Sequence, residues 1–558
     1  MQKGARKGEP SKPKSGKNAL YLYCAILSIV IIGLYSGITN NNFVDLDDTT
    51  VIVDNYPFLK NFSNAPQAFK QGVFQVYDKQ DTLKTYYRPI MTLSFMLDAH
   101  LSPAPADHVS PRPFLRANIF YHIVACILLM LLLIALKVNL VPSFLLALLF
   151  AVHPILAQAI AWIPGRNDPL VAIFILSAMF SLLKYIETRK EKHLGLHLLF
   201  FTLALFTKEN AIMLVAITAF CLYRLNKIAL QKKDNIFFFS GYAIIIVVWY
   251  LLRSHAISSS GPDMSLGEAT KNSISNLPMF FQYIGKSVLP YGLSVLSTVQ
   301  DTNYVLGVLA IIIISAGIIL SREKKWDIII LGLLWFFLFL TPSFLTQFSG
   351  LEHRDYLPLI GLVIVVSEMD VIKKLSFQFN WQLVAMGAII VGFSVITHNR
   401  LPVFSNCFTF DKSAMETSPK NVLPCLYLAK HYEEIHQYNE AIGAYTEALK
   451  RDSNTPMMHN NIGGEYIAMN KYPEAEEELK KEIVKFPNNS FAVFNLGLIN
   501  YTYQRDSIAV NYWKRALQIN PGFMNPHKML AEYYIGKGDS IDAAPYKKWL
   551  RDKGYPTP

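Results

Sequence analysis

Charge is scarce in this chain. Asp, Glu, Lys and Arg make up 17% of its 558 residues, against about 25% in ordinary soluble domains. With 52% hydrophobic residues and a mean hydropathy of +0.27, that scarcity excludes an ordinary soluble enzyme. Cysteine is also scarce. The chain has five cysteines and no CxxC pair or His/Cys spacing of the kind that binds zinc. Cys24, Cys126 and Cys221 lie inside apolar runs, where packing is the sensible role. Cys407 and Cys425 would face an oxidising compartment, which leaves a disulfide between them open. No small-residue cleavage pattern follows the first apolar run, so it reads as a retained anchor rather than a signal peptide.

The deficit of charge is uneven, and its distribution gives the domain organisation. Residues 1–18 are a basic tail, 19–400 alternate apolar runs with short polar stretches, and 411–558 are polar and mixed. A spanning helix needs roughly 20 mostly apolar residues. By that rule about eleven candidates run near 19–38, 117–136, 139–156, 169–186, 194–206, 210–223, 236–252, 303–320, 327–344, 357–371 and 381–397. The pair 194–206 and 210–223 is short and flanks the sequence FTKEN.

A formal net charge of +11 could suggest nucleic acid, but the Lys and Arg sit mainly in short loops beside apolar runs. They read as topology-setting charge, and no nucleic-acid partner is expected. Lys3, Arg6, Lys7, Lys12, Lys14 and Lys17 keep the N-terminus in the cytoplasm. Lys184, Arg189, Lys190 and Lys192 agree in a later loop, as do Arg224, Lys227, Lys232 and Lys233, then Arg322, Lys324 and Lys325, then Lys373 and Lys374. An odd number of spans then places the loops 40–113 and 254–302, and everything after 398, outside. The expected class is all-α: a polytopic transmembrane helical bundle followed by an α-solenoid.

The solenoid is read from a period of 34, the tetratricopeptide length. Ala429, Gly463, Gly497 and Ala531 share one register, and Ala441, Ala475, Ala509 and Ala543 share a second. Tyr445, Leu479 and Trp513 fill a large apolar position after it, and Ser453, Pro487 and Pro521 mark the boundaries. Small residues at fixed offsets let paired helices approach closely, and proline ends the second helix of each pair. The register predicts three full repeats and a partial fourth. Such stacks form a concave groove that takes peptides or proteins; bracing the membrane domain or forming dimers is the duller alternative.

Ionisable residues beside a membrane are functional candidates because burying them is costly. Five clusters fall on the outer side. They are Asn42 to Asp48 with Asp45, Asp47 and Asp48; Tyr86 to Pro89 with Tyr87 and Arg88; His153-Pro154 followed by Trp162 to Asp168 with Arg166; Lys208 with Glu209; and Glu352 to Pro358 with Arg354 and Tyr356. Each also has a plain reading, as a solvated Asp run, a helix end or an interfacial anchor. Convergence on one face raises them together. A carboxylate, cations for phosphate and aromatics at an interface are what transfer from a lipid-phosphate donor requires.

At FVDLDD, YYRPIMTLSF, AVHPILAQAIAWIPGRND, FTKEN, LPYGLS and EHRDYLP, followed by the repeats, the chain resembles the transmembrane and tetratricopeptide-repeat O-mannosyltransferase family of GT-C glycosyltransferases. The resemblance implies a polyprenyl-phosphate-linked sugar, usually mannose, and a protein hydroxyl acceptor, with an Asp of the first loop as base. It also implies Arg354 at the lipid phosphate, with Arg88 and Lys208 as further candidates. Gln158 stands where many relatives would have an acidic residue, and the first loop has an extra residue before its Asp pair. Within DLDD, Asp47 is expected to be the base, with Asp48 or Asp45 supporting it. No cofactor is expected: DLDD could offer oxygen ligands to a divalent metal, but metal-independent chemistry is favoured. The expected partners are the polyprenyl-phosphate sugar, the bilayer and an acceptor protein in the repeat groove. The expected location is a bacterial inner membrane, with an endoplasmic-reticulum membrane open. The rival from another class is a non-enzymatic envelope scaffold holding partners through its repeats.

Overall fold

The computed structural model describes residues 15–44, 46–75, 86–105, 108–225, 232–257, 265–345 and 350–558. Asp45, Lys227 and the basic tail from Lys3 to Lys14 lie outside them. Among the described residues the regular structure is helical, apart from one isolated bridge between Ser297 and Gly350. Two compact units divide the chain, one ending at Ser413 and the other running Ala414–Pro558. All five cysteines are free thiols.

Among the described residues, six helices of the first unit are long and apolar enough to cross a membrane. They are Asn18–Asn40, Arg112–Ala135, Ile163–Thr188, Ile236–Ala256, Trp326–Phe344 and Trp381–Phe404. Leu140–Ala151 and Pro154–Ala161 form a further pair bent by 50°. The other apolar runs make shorter elements, so the eleven segments read from hydropathy are not eleven full-length helices. Residues 303–320 give Tyr304–Leu320, 194–206 lie within Glu191–Thr207, and 357–371 give Tyr356–Val366 followed by a turn. The run 210–223 breaks into a 3-10 turn, the helix Leu214–Phe220 and a π turn.

The breaks have local causes. Pro154 has no N–H to continue a helix, and the His153 ring accepts the Ile155 N–H at 3.3 Å, capping the new turn. Lys208 takes extended backbone, φ −155° and ψ 132°, which ends Glu191–Thr207. Close helix crossings are built on glycine: a Cβ at Gly332 would lie 2.6 Å from Gly361 O. This contact brings Tyr356–Val366 tightly against Trp326–Phe344 and fixes the turn Glu352–Asp355 that precedes it.

The second unit is four antiparallel helix pairs. They are Leu423–Glu434 with Tyr438–Arg451, Met458–Ala468 with Tyr472–Lys485, Ser490–Thr502 with Asp506–Ile519, and Met524–Gly536 with Ser540–Asp552. The fourth pair, expected to be partial, has both helices, although Lys547 stands at the register position that Tyr445, Leu479 and Trp513 fill with large apolar side chains. The small residues of both registers are buried, as are Tyr445, Leu479 and Trp513. The packing cause is direct, since a Cβ at Gly497 would lie 2.5 Å from Trp513 Cδ1.

Candidate active site

The first span ends in a loop fastened at both sides. Asn42 N–H donates to Ser405 O at 2.8 Å, and Asn41 Nδ2 donates to Phe404 O at 2.9 Å. Asp48 turns the loop back, its Oδ2 accepting the Val44 N–H at 2.8 Å, and its side chain is wholly buried. Leu46 sits at φ 73°, a left-handed conformation that is unfavourable for a branched residue. The neighbouring carboxylates therefore differ in character. Asp48 is a structural acceptor, whereas Asp47 is partly exposed. Burial pushes the Asp47 carboxyl up to about 6, with Arg88 and Arg354 pulling the other way.

Arg88 immediately precedes the helix Pro89–Leu101. Its Nε and Nη2 donate to Glu209 Oε2 and Oε1 at 3.0 and 2.6 Å, and its guanidinium lies 4.3 Å over the Tyr86 ring. Burial works against the Glu209 charge, yet Arg88 holds the carboxyl down to about 2. Tyr87 is buried beside it, its hydroxyl donating to Phe69 O at 3.0 Å. Next to Glu209, Lys208 Nζ reaches Asp168 Oδ1 at 2.6 Å. Arg354, in the turn Glu352–Asp355, is partly exposed and near enough to act electrostatically on both Asp47 and Asp168. Burial, then the charges of Lys208, Arg354 and Arg88, hold the His353 imidazole well below its ordinary range, so it is neutral at pH 7.

Asp47, Arg88, Asp168, Lys208, Glu209 and Arg354 thus come from five sequence clusters and share one electrostatic neighbourhood. The arrangement can hold an anion on cations fixed by carboxylates, beside a carboxyl whose affinity for a proton is raised.

The remaining expected site residues are engaged in the framework of the helices. Glu352 is buried between Lys286, at 2.8 Å, and Arg400, and accepts the Ser294 N–H at 2.6 Å. Arg166 is fully buried against Asp98 at 2.5 Å and donates to Asn118 Oδ1 and Phe114 O at 2.9 and 2.8 Å. Tyr356 bonds His122 Nδ1 through its hydroxyl at 2.8 Å. The Nε2 of His153 donates to Ser287 O at 3.0 Å, since its Nδ1 accepts from Ile155. These side chains hold helices together, and the structure does not bring them into the cationic cluster.

Several partners went unnoticed in the sequence: Asp98, Asn118, His122, Lys286, Ser287 and Arg400. Asp98, Asn118 and His122 are isolated polar residues in apolar surroundings, a signal that exists but carries no motif, whereas Lys286, Ser287 and Arg400 lie among other polar residues. Asp355 is another case. The Ser287 hydroxyl lies within hydrogen-bond reach of both Tyr283 O, at 2.7 Å, and Asp355 Oδ2, at 2.5 Å. Burial pushes the Asp355 carboxyl well above the usual carboxylate range, with the Ser287 hydroxyl pulling the other way. Gln158 is explained as well. Its Nε2 donates to Val295 O at 3.2 Å while its Oε1 accepts the His353 N–H at 3.1 Å, a double role that a carboxylate could not fill.

No protein-family model matches the chain. It is similar to protein O-mannosyl-transferase TMTC3 of Homo sapiens and of Mus musculus, each 22% identical over 583 aligned positions that take in 89% of this chain. The chain spans 59% of the length of these curated relatives. Among solved structures, a crystal structure of MamA is 23% identical and covers 26% of this chain and 86% of that one, at a TM-score of 0.24. Pseudomonas aeruginosa pilF is 20% identical and covers 31% and 75%, at 0.25. Scores that low carry no argument, and the repeat fold rests on the helix pairs themselves. In sequence, therefore, the chain is similar to proteins named as O-mannosyl-transferases, at low identity and over part of their length.

Proposed function

We propose that the protein transfers a sugar, mannose by its relatives' name, from a polyprenyl-phosphate donor to a Ser or Thr hydroxyl of a protein on the non-cytoplasmic face of a membrane. The observation that carries this reading is the placement of Asp47, a carboxyl at about 6 in the field of Arg88 and Arg354. A hydroxyl is a poor nucleophile until a positioned base takes its proton as the new bond forms. At pH 7 Asp47 is ionised yet basic enough for that task.

The acceptor oxygen attacks the anomeric carbon, and its proton passes to Asp47. The bond from that carbon to the phosphate oxygen breaks, its electron pair leaving with the lipid phosphate, and the anomeric centre inverts. Arg354, Arg88 and Lys208 offset the charge that grows on the departing phosphate. Glu209 occupies the Nε–Nη2 edge of Arg88, so Nη1 is the edge offered to phosphate. Glu352, Arg166, His153 and Tyr356 act by positioning. Acceptor proteins dock in the concave face of the repeats.

Membranes containing the protein, supplied with radiolabelled polyprenyl-phosphate sugars and a Ser/Thr-rich acceptor, test the reading. Label transferred by wild type and not by Asp47→Asn supports it. No transfer from any polyprenyl-phosphate sugar sinks it.

A further inference from the structure

Away from the acidic and cationic cluster, the first unit has an open cavity of about 600 Å³. Lys137, Arg322, Lys325, Lys373 and Lys374 line it, from three separate loops. We propose that this cavity is a lipid site that takes the phosphate of an anionic headgroup on the cytoplasmic side of the membrane.

Five basic side chains face three acidic ones there, and two of those acids are spent on the protein itself. Glu368 Oε2 accepts the Lys325 N–H at 2.9 Å and the Lys373 ammonium at 2.5 Å. Asp370 Oδ2 accepts the Arg322 N–H at 2.9 Å. These carboxylates tie residues 321–325 to 367–374, which sets the cations around the cavity. The side chains of Arg322, Lys374 and Lys137 are exposed.

Two long helices also start at the cavity wall, Leu140–Ala151 after Asn139 and Trp326–Phe344 after Lys325. Neither Asn139 nor Lys325 makes a side-chain cap bond; the second helix carries Asp327 in its first turn, so the positive end at Leu140 is the one that adds to the attraction for an anion. Lys137 sits at φ 69°, a left-handed position after the helix Arg112–Ala135 that glycine occupies without penalty. Lys137 lines the cavity, and its exposed ammonium lies 3.6 Å from the equally solvent-facing Glu187 carboxylate, a pair loose enough to yield to a phosphate.

The surroundings select a lipid over a soluble phosphate. Trp326 follows Lys325 directly in sequence and Phe377, Phe379 and Trp381 come soon after Lys374, and all four are exposed, at 56, 53, 92 and 67%. Aromatic side chains of that kind settle at the headgroup level of a bilayer. Basic residues immediately next to spanning helices attract anionic leaflet lipids, about 1 kcal/mol for each Lys or Arg near the surface. The loops at Arg322 and Lys373 belong to the set that the charge distribution assigns to the cytoplasm, and alternation of the spans puts the turn at Lys137 on the same side. The site is therefore independent of the transfer reaction proposed above.

The test uses the full-length protein, delipidated in detergent, with phosphatidic acid, phosphatidylcholine or inorganic phosphate added at equal concentration. Thermal melting and native mass spectrometry read the binding. Phosphatidic acid should raise the melting temperature and remain bound, with phosphatidylcholine and inorganic phosphate giving neither effect. Arg322→Gln with Lys374→Gln should weaken phosphatidic acid binding at least tenfold, while Arg224→Gln, a basic residue of the same face paired with Asp327, should not. Lys137→Gly separates folding from binding, because it relieves the left-handed backbone: it should be at least as stable as wild type, yet bind the lipid severalfold more weakly. Equal binding by wild type and both cavity variants would overturn the proposal, as would a response to phosphatidylcholine or inorganic phosphate as large as that to phosphatidic acid.

Discussion

Glu209 grips Arg88 across 121 residues of sequence through two hydrogen bonds of 3.0 and 2.6 Å. A carboxylate so placed does more than neutralise the arginine. It fixes the plane of the guanidinium and leaves one edge for a ligand, which matters for a phosphate that must be met bidentately.

Glu209→Gln should disturb that orientation while keeping the volume. A charge-assisted hydrogen bond contributes on the order of 1.5–3 kcal/mol, so KM for the lipid-phosphate donor should rise about tenfold with kcat at saturating donor changed much less. Arg88→Lys, which loses the fork, should do at least as much damage. Unchanged donor KM in both variants would remove Arg88 from the phosphate site.

Arg354→Ala should reduce donor affinity about tenfold or more, with Arg354→Lys recovering part of it because charge survives but the planar fork does not. The protein should remain folded, since Arg354 is partly exposed. Wild-type donor use by Arg354→Ala would leave this residue only an interfacial anchor.

The pH dependence follows from Asp47. A base must be ionised, so transfer should rise with pH through about 6, where the Asp47 carboxyl titrates. Arg354 favours the ionised form, so Arg354→Ala should move this acidic limb to higher pH. Stability has the opposite sign. A carboxyl whose folded pKa is raised from 3.8 to about 6 favours the fold when protonated, and that contribution is lost as pH rises between these values. Asp47→Asn should therefore melt higher than wild type at pH 7.5 and no higher at pH 4.

Gln158→Glu, which supplies the acid expected at this position, should destabilise the protein. It would set a carboxylate against Val295 O in a fully buried place and leave that carbonyl without its donor. The cost should be on the order of 1–3 kcal/mol, read as a fall of several degrees in melting temperature. A variant as stable as wild type would mean that the local backbone rearranges freely.

Gly497→Val should loosen the repeat unit selectively, because even a Cβ at this position collides with Trp513. Limited proteolysis should cut between Ser490 and Ile519 in the variant and spare the helices of the first unit. Equal resistance would contradict the close approach of this helix pair.

Much of this architecture was legible in the sequence, for reasons visible at particular residues. The repeat register could be read because Ala429, Gly463, Gly497 and Ala531 recur at one period and meet large partners such as Trp513. The cationic neighbourhood could be read because Arg88, Lys208 and Arg354 sit in short polar motifs beside apolar runs. Hydropathy could not give the lengths of the spans, because a single backbone setting, the extended Lys208 or the Pro154 break, ends a helix inside an apolar run. Nor could it separate residues that touch a ligand from residues that tie helices together. Glu352 and Arg354 are two positions apart, yet one is locked between Lys286 and Arg400 while the other is partly exposed. Which side chain of a motif faces inward depends on a 3-10 turn that composition does not reveal.

The central claim is that Asp47, and not its neighbour, takes the acceptor's proton. The structure separates the two, since Asp48 spends its carboxylate on the Val44 N–H while Asp47 faces the field of Arg88 and Arg354. Single-turnover transfer from radiolabelled polyprenyl-phosphate sugar, measured for wild type, Asp47→Asn and Asp48→Asn in the same membranes, tests this most directly. Asp47→Asn should be slower by about 10²–10⁴-fold with donor binding nearly unchanged. Asp48→Asn, which keeps an oxygen to accept the Val44 N–H, should retain far more activity. Near-normal transfer by Asp47→Asn, or a greater loss in Asp48→Asn, would contradict the account.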